Sequence, residues 1–143
     1  MCKHLGILEL TVFALSKENL QRAPIEVETL MGLCKDNFAR LARPGGIFQT
    51  QSIKIRILGD LSLLPTDVSE SLRRTEEMTK NHENGILNVC ICFNGRDEIA
   101  SAIQSNPTTK QEFESRLLGG YNVKPEILIR TSNEVRLSGF MLY

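Results

Sequence analysis

Apolar and polar positions fall in blocks along the chain, and the period inside each block switches between that of a strand and that of a helix. From Gly6 to Leu15 the residues are almost continuously aliphatic or β-branched, as in a strand covered on both faces. A polar break, Ser16 to Arg22, follows. Pro24 then opens a predicted helix, at a position where its missing N–H leaves no bond unmade. Val27, Leu30, Met31, Cys34, Phe38 and Leu41 recur at helical spacing and form one apolar stripe. Arg43-Pro44-Gly45-Gly46 stops that helix. Ile53 to Leu58 reads as a second strand ending at Gly59-Asp60, and Pro65 starts a charged helix through about Lys80. Asn84-Gly85 is a turn, and Ile86 to Phe93 is the strongest buried strand in the chain. After Asn94-Gly95 the spacing predicts a helix from Arg96 to Gln104 with Ile99, Ala102 and Ile103 inward. Thr109 to Glu112 has capping-box spacing, with Phe113 and Leu117 on the helix that follows and Gly119-Gly120 ending it. Glu126 to Arg130 reads as a last strand. The alternation predicts an α/β fold with right-handed crossovers: a parallel central sheet with helices on both faces.

Composition bounds the function. The chain has 143 residues, 17 Lys plus Arg against 17 Asp plus Glu, and 41% hydrophobic residues. One domain spanning residues 1–143 accommodates that length. Zero net charge and a pI near 6.7 argue against a nucleic-acid partner, which calls for clustered cations. No apolar run reaches the ~20 residues of a membrane-spanning helix, so no transmembrane segment is expected. Residues 1–15 carry Lys3, His4 and Glu9 and do not read as a signal peptide. Cys2, Cys34, Cys90 and Cys92 sit in apolar segments, which favours buried free thiols over a metal or disulfide role. His4 and His82 have no second histidine at ligand spacing and read as surface or packing residues.

Ligands of open parallel sheets bind at the carboxyl ends of the strands. Three polar segments are predicted there: Ser16 to Arg22, Asn94 to Arg96, and Arg130 to Ser138. Together they offer Arg22, Arg96, Arg130 and Arg136, with hydroxyls from Ser16, Thr131, Ser132 and Ser138. Guanidinium forks beside hydroxyls suit a phosphate or diphosphate, because each Arg can donate two parallel charge-assisted bonds. Polar loops after strands are also common as solvated surface, and the pattern alone leaves both readings open.

The wording of these segments adds a family. The run from Gly6 through Ser16-Lys-Glu-Asn-Leu-Gln-Arg22 resembles a signature of the cis-prenyltransferases, the polyprenyl diphosphate synthases. Arg130-Thr-Ser-Asn-Glu-Val-Arg-Leu-Ser138 is similar to their C-terminal signature. Ile57-Leu-Gly-Asp-Leu-Ser-Leu-Leu-Pro65 and Leu87-Asn-Val-Cys90 resemble the eukaryotic branch, the dehydrodolichyl diphosphate synthases. The resemblance implies an undecaprenyl diphosphate synthase-like fold and the successive cis addition of isopentenyl diphosphate to farnesyl diphosphate, with Mg²⁺ on a diphosphate. By match to the motifs, Arg130, Arg136 and Ser138 would hold isopentenyl diphosphate, Arg22 would contact the allylic diphosphate, and Ser16 and Asn19 would assist at the reacting end. The stripe on the Pro24 helix would line a tunnel for the growing chain, or simply pack the core. A homodimer, or a hetero-complex with a Nogo-B-receptor-like subunit, is the implied assembly. The cytosolic face of the endoplasmic reticulum, or the cytoplasm, is the implied location.

The sequence also departs from the family pattern. The family's Asp-Gly-Asn motif would lie before Met1, and the Trp-Gln and Glu that usually close the domain would lie after Tyr143. The carboxylates that match the family's metal ligands are therefore not in this chain, and the domain reads as truncated. Asn133, Gly139, Leu20 and Glu126 replace family residues, and the stretch from Gln104 to Pro125 is short. Little or no prenyltransferase activity is expected of the chain alone, with a non-catalytic homologue or assembly subunit as the alternative. If an absent strand belongs inside the sheet, its neighbours are expected to show open edges.

Overall fold

The structure, a computed structural model, describes residues 2–117 and 125–143. Its backbone divides into two units, residues 1–92 and 93–143. In the first unit a short 3₁₀ turn, Cys2–Leu5, precedes strand β1, Glu9–Ser16; helices α1, Pro24–Ala42, and α2, Ile47–Thr50, lead to strand β2, Ile53–Leu58. Helix α3, Thr66–Thr79, then leads into strand β3, Gly85–Phe93, whose last residue opens the second unit. Helices α4, Gly95–Gln104, and α5, Lys110–Arg116, belong to that second unit. The strands are parallel in the order β1–β3–β2. β2 and β3 run in register from Ile53 opposite Gly85 to Leu58 opposite Cys90.

Three prolines set the helix boundaries. Ala23, Arg43 and Leu64 each precede a proline, and each has an extended ψ between 137° and 155°. The proline ring clashes with a helical residue before it, so α1 begins at Pro24 and ends before Pro44 for the same steric reason. The predicted stripe of α1 is the face the fold uses. Met31 is buried, and Val27, Leu30, Cys34 and Phe38 pack against a core of Leu15, Leu64, Val68, Leu72, Val89, Ile91 and Cys92. That core lies between α1, α3 and one face of the sheet.

The central strand is buried from Asn88 to Phe93, as its continuous apolar reading predicted. Asn88 is the exception in kind. Its amide Nδ2 donates to Glu9 Oε1 at 2.7 Å and to Thr11 Oγ1 at 3.0 Å on β1. The same Glu9 oxygen lies 3.6 Å from Nη1 of Arg56, the residue level with Asn88 on β2. A polar row thus crosses all three strands, while Asn88 Oδ1 stays buried without a partner. An orphaned buried acceptor costs about 1–3 kcal/mol, which the two amide donations offset in part.

The outer edge of β2 is closed by side chains. Ile55 N–H donates to Thr79 Oγ1 at 3.1 Å and Ile57 N–H to Glu76 Oε1 at 2.6 Å. His82 Nδ1 lies 3.0 Å from the Ile53 carbonyl. Backbone groups that a further strand would need are therefore occupied, which protects the edge from strand addition. His82 is a packing residue, as expected.

Several expectations are corrected. Glu126 to Arg130 forms no strand: Ile127 and Ile129 are 79% and 81% exposed and no strand pairs with them among the described residues. Aliphatic composition favours a strand only where a neighbour takes its N–H and C=O groups. The Gly6 to Leu15 strand starts at Glu9 and is not covered on both faces; Leu8 is 74% exposed and only Leu15 is fully buried. On α4 the buried positions are Gly95, Glu98 and Ala102, whereas Ile103 faces outward. Helix α5 stops at Arg116, and the predicted Gly119-Gly120 stop lies outside the described residues. The Thr109 box is half made. Thr109 Oγ1 accepts from Glu112 N–H, but the Glu112 carboxylate turns to the N–H and hydroxyl of Thr108. Cys34, Cys90 and Cys92 are free thiols. No helix among the described residues is long and apolar enough to cross a membrane.

Leu72 is 0% exposed at the centre of the α3 contact with the core. Leu72→Ala is expected to lower the unfolding free energy by about 2–5 kcal/mol in a urea titration. Ile103→Ala, at an exposed site, is expected to change it by less than about 0.5 kcal/mol. Equal effects would contradict this placement of the core.

Candidate functional site

Each unit carries its own set of candidate residues. In the first, β1 runs into a 3₁₀ turn, Lys17–Gln21, where only a polar break was expected. Ser16 Oγ accepts from the Asn19 N–H at 3.3 Å, and Asn19 Oδ1 accepts from the Ser16 N–H at 2.9 Å. This reciprocal cap uses the acceptor atoms of both side chains. The Ser16 hydroxyl proton and the Asn19 Nδ2 protons remain as donors, the polarity that an anionic oxygen needs. Arg22 follows the turn, 3.9 Å from Glu26 and about half exposed. An exposed i,i+4 pair of that length ties the guanidinium only weakly.

Beside this turn, β2 ends at Leu58 and is followed by Gly59, whose φ is +132° and whose Cβ, if present, would meet the Ile91 carbonyl oxygen at 1.9 Å. Only glycine lets β2 close against β3 there. Asp60 follows, with its N–H donating to the Cys92 carbonyl at 3.3 Å. Its carboxylate caps the 3₁₀ turn Leu61–Leu63 through Ser62. Those Ser62 bonds, helped by the charge of Lys17, hold the Asp60 carboxyl below the usual carboxylate range. Asp60 was not among the predicted site residues; a Gly-Asp pair ending a strand was the available signal. Cys92 lies at this rim with φ +50°. Burial, and secondarily the Asp60 charge, push its thiol up to about 11.

In the second unit two of the predicted polar loops meet. Asn94 Oδ1 accepts from the Arg96 N–H at 2.9 Å and caps α4. The Gly95 N–H donates to the Gly139 carbonyl at 2.7 Å, and a Cβ on Gly95 would sit 2.8 Å from that oxygen. The start of α4 and the 130–139 loop are thereby held together. Within the loop, Ser132, Asn133 and Ser138 take left-handed backbone angles, which coil it back on itself. Arg130 Nη1 donates to the Arg136 carbonyl and, at 3.2 Å, to Ser138 Oγ. Both bonds leave from one nitrogen, so the Nε–Nη2 edge keeps its parallel donors. Arg136 pairs with Glu134 at 2.9 Å and its side chain is 70% exposed.

The structure therefore brings Arg130, Arg136 and Ser138 into one loop, joined at Gly139 to the Asn94–Arg96 segment. Ser16, Asn19 and Arg22 share one turn of the first unit. Thr131 and Ser132 are exposed on the 130–138 loop. Among the described residues no three His, Cys, Asp or Glu side chains cluster as a metal cage.

A family model described as undecaprenyl diphosphate synthase matches residues 1–143. The chain belongs to that family of cis-prenyltransferases. It is 40% identical to the dehydrodolichyl diphosphate synthase complex subunit of Homo sapiens, over 99% of this chain and 46% of that protein. It is 37% identical to the corresponding complex subunit of Schizosaccharomyces pombe, over 100% of this chain and 59% of the relative. The chain thus spans about half the length of these relatives. The matched regions, 154 and 155 residues, exceed the 143 of this chain, so the relatives carry residues inside the match that this chain lacks. Among solved structures, lavandulyl diphosphate synthase from Lavandula x intermedia in complex with dimethylallyl diphosphate superposes with a TM-score of 0.85 at 26% identity. That superposition covers 97% of this chain and 64% of the other. An undecaprenyl diphosphate synthase from Campylobacter jejuni gives 0.83 at 29% identity, over 99% of this chain and 68% of its own.

Because the folded state favours the neutral Cys92 thiol, the stabilisation is complete below pH 9 and is lost as the pH rises to about 11. Stability measured by urea titration is expected to fall across that window, and to fall less in Cys92→Ala. Equal slopes for the two chains would contradict the buried thiol.

Proposed function

We propose that this chain carries the isopentenyl diphosphate-binding part of a cis-prenyltransferase that extends an allylic diphosphate, farnesyl diphosphate, toward a long-chain polyprenyl diphosphate of the dehydrodolichyl type, the precursor of dolichol. The observation that supports this best is the Arg130 side chain. Its Nη1 is fixed to the Arg136 carbonyl and Ser138 Oγ, which presents the other edge of the guanidinium ready-made to a diphosphate. Arg130 and Arg136 bind the isopentenyl diphosphate and Ser138 orients Arg130. Arg22 takes the allylic diphosphate, whose oxygens gain charge as the allylic C–O bond breaks. The guanidinium there offsets the developing charge, and alignment of the isopentenyl double bond with the allylic carbon lowers the barrier further. Ser16 and Asn19 donate to the same oxygens through the protons their mutual cap leaves free.

Mg²⁺, bound on a diphosphate, would supply Lewis-acid help to the leaving group. The carboxylates described here do not form its cage: Glu134 is held by Arg136, and Asp60 by Ser62. The chain operates as one domain, as a homodimer or beside a Nogo-B-receptor-like subunit, peripherally at the cytosolic face of the endoplasmic reticulum, and has little activity alone. A second reading, a non-catalytic homologue or assembly subunit, draws support from the residues that the relatives carry inside the match and this chain lacks.

Arg130→Ala and Arg136→Ala are each expected to weaken isopentenyl diphosphate binding by about 1.5–3 kcal/mol in calorimetric titrations, the range for a hydrogen bond to a charged group. Arg130→Lys is expected to recover only part, since an ammonium cannot present the parallel fork. Unchanged binding in both alanine variants would refute the reading. Mg²⁺-dependent incorporation of labelled isopentenyl diphosphate by the wild-type chain alone would refute the expectation of little activity.

A further inference from the structure

A second cationic surface lies away from the strand carboxyl ends. Arg73 and Glu77 share one face of α3 with Lys80 just past its end, and Lys54 and Arg56 lie two apart on β2 and so point to one side. With Ile55 and Glu76 they line an open groove of about 490 Å³ along the closed edge of the sheet. Lys54 is the second residue of β2, and Lys80 follows the carboxyl end of α3. The groove therefore runs toward the amino ends of the strands, opposite the rim that carries Ser16, Asn19 and Asp60.

Four cations and two carboxylates line it, in a chain whose charges balance overall. The carboxylates are already engaged: Glu76 accepts from the Ile57 N–H at 2.6 Å, and Glu77 pairs with Lys80. Arg56 is shared with Glu9 at 3.6 Å. Among the described residues no carboxylate lies within ion-pair distance of Lys54 or Arg73. The backbone offers little to a ligand, because Ile55 and Ile57 N–H are spent on Thr79 and Glu76. A strand cannot dock here. The carboxyl end of α3 disfavours an anion through its dipole, so recognition falls to the Lys54, Arg56, Arg73 and Lys80 side chains. Guanidinium and ammonium groups around one groove suit a compact polyanion that several donors can share.

We infer that this groove binds a phosphate group, borne either by a lipid at a membrane surface or by a soluble diphosphate, at a site separate from the Arg130 loop. The test uses the whole chain with Arg22→Ala, Arg130→Ala and Arg136→Ala already in place, so that neither diphosphate site of the proposed function contributes. Inorganic pyrophosphate is titrated calorimetrically, and vesicles of phosphatidylcholine with and without phosphatidic acid are co-sedimented, each at low and high salt. Adding Lys54→Glu and Arg73→Glu is expected to weaken the binding at least tenfold, and adding the milder Lys54→Gln and Arg73→Gln severalfold. Lys110→Glu, on α5, is expected to leave it within twofold; circular dichroism checks that every variant is folded. Loss of pyrophosphate binding assigns the groove to a soluble phosphate, and loss of sedimentation with phosphatidic acid vesicles alone assigns it to a lipid headgroup. No binding of either probe to the parent, or binding that survives the glutamine and glutamate variants, overturns the inference.

Discussion

The first unit depends on how β3 is satisfied along both edges at once. Its residues from Asn88 to Phe93 are buried, so every N–H and C=O among them needs a partner within the protein. β1 and β2 supply those partners in a parallel ladder, and parallel pairing forces the connections to cross over as helices. The crossovers are α1 and α3, and the core forms where they pack on the sheet. The sheet's two outer edges are then treated differently. β2 is closed by Thr79, Glu76 and His82, whereas residues before and along β1, such as Leu8 and Leu10, stay open to solvent.

That asymmetry explains which elements were legible from the residues. Elements whose own composition and neighbours agree were read to within a residue or two: α1 with its proline start and apolar stripe, β2 from Ile53 to Leu58, and β3. Glu126 to Arg130 has strand composition as clear as that of β2, yet it makes no strand, because a strand is a property of a pair. Composition carries no record of whether a partner stands alongside. The outward-facing Ile103 and the buried Glu98 on α4 fail for a related reason, since helical period fixes which residues share a face but not which face is covered.

At the candidate site, chemistry was more legible than posture. Hydroxyls, amides and guanidinium groups after strand ends pointed to an anion, and Arg130, Arg136 and Ser138 do share one loop. Their wiring could not be read from spacing. The mutual cap of Ser16 and Asn19 needs a 3₁₀ turn, and the Arg130 bonds need three non-glycine residues in left-handed conformations. Asp60 escaped notice because its work is local: it caps a turn and influences Cys92 through charge.

These details bear on how an anion is held. A side chain that must be positioned during binding loses rotamer freedom at that moment, and a long Arg loses about 2 kcal/mol if it is fully fixed. Arg130 has met part of that loss in folding, through bonds from a single nitrogen to a carbonyl and a hydroxyl of its own loop. Arg22 has not, since its exposed contact with Glu26 is long and weak. The proposed reaction needs one diphosphate held still while the other departs. A prepositioned guanidinium suits the substrate whose diphosphate is retained. Under the proposed assignment, with Arg130 on isopentenyl diphosphate and Arg22 on the allylic substrate, the prepositioned group meets the diphosphate that is retained.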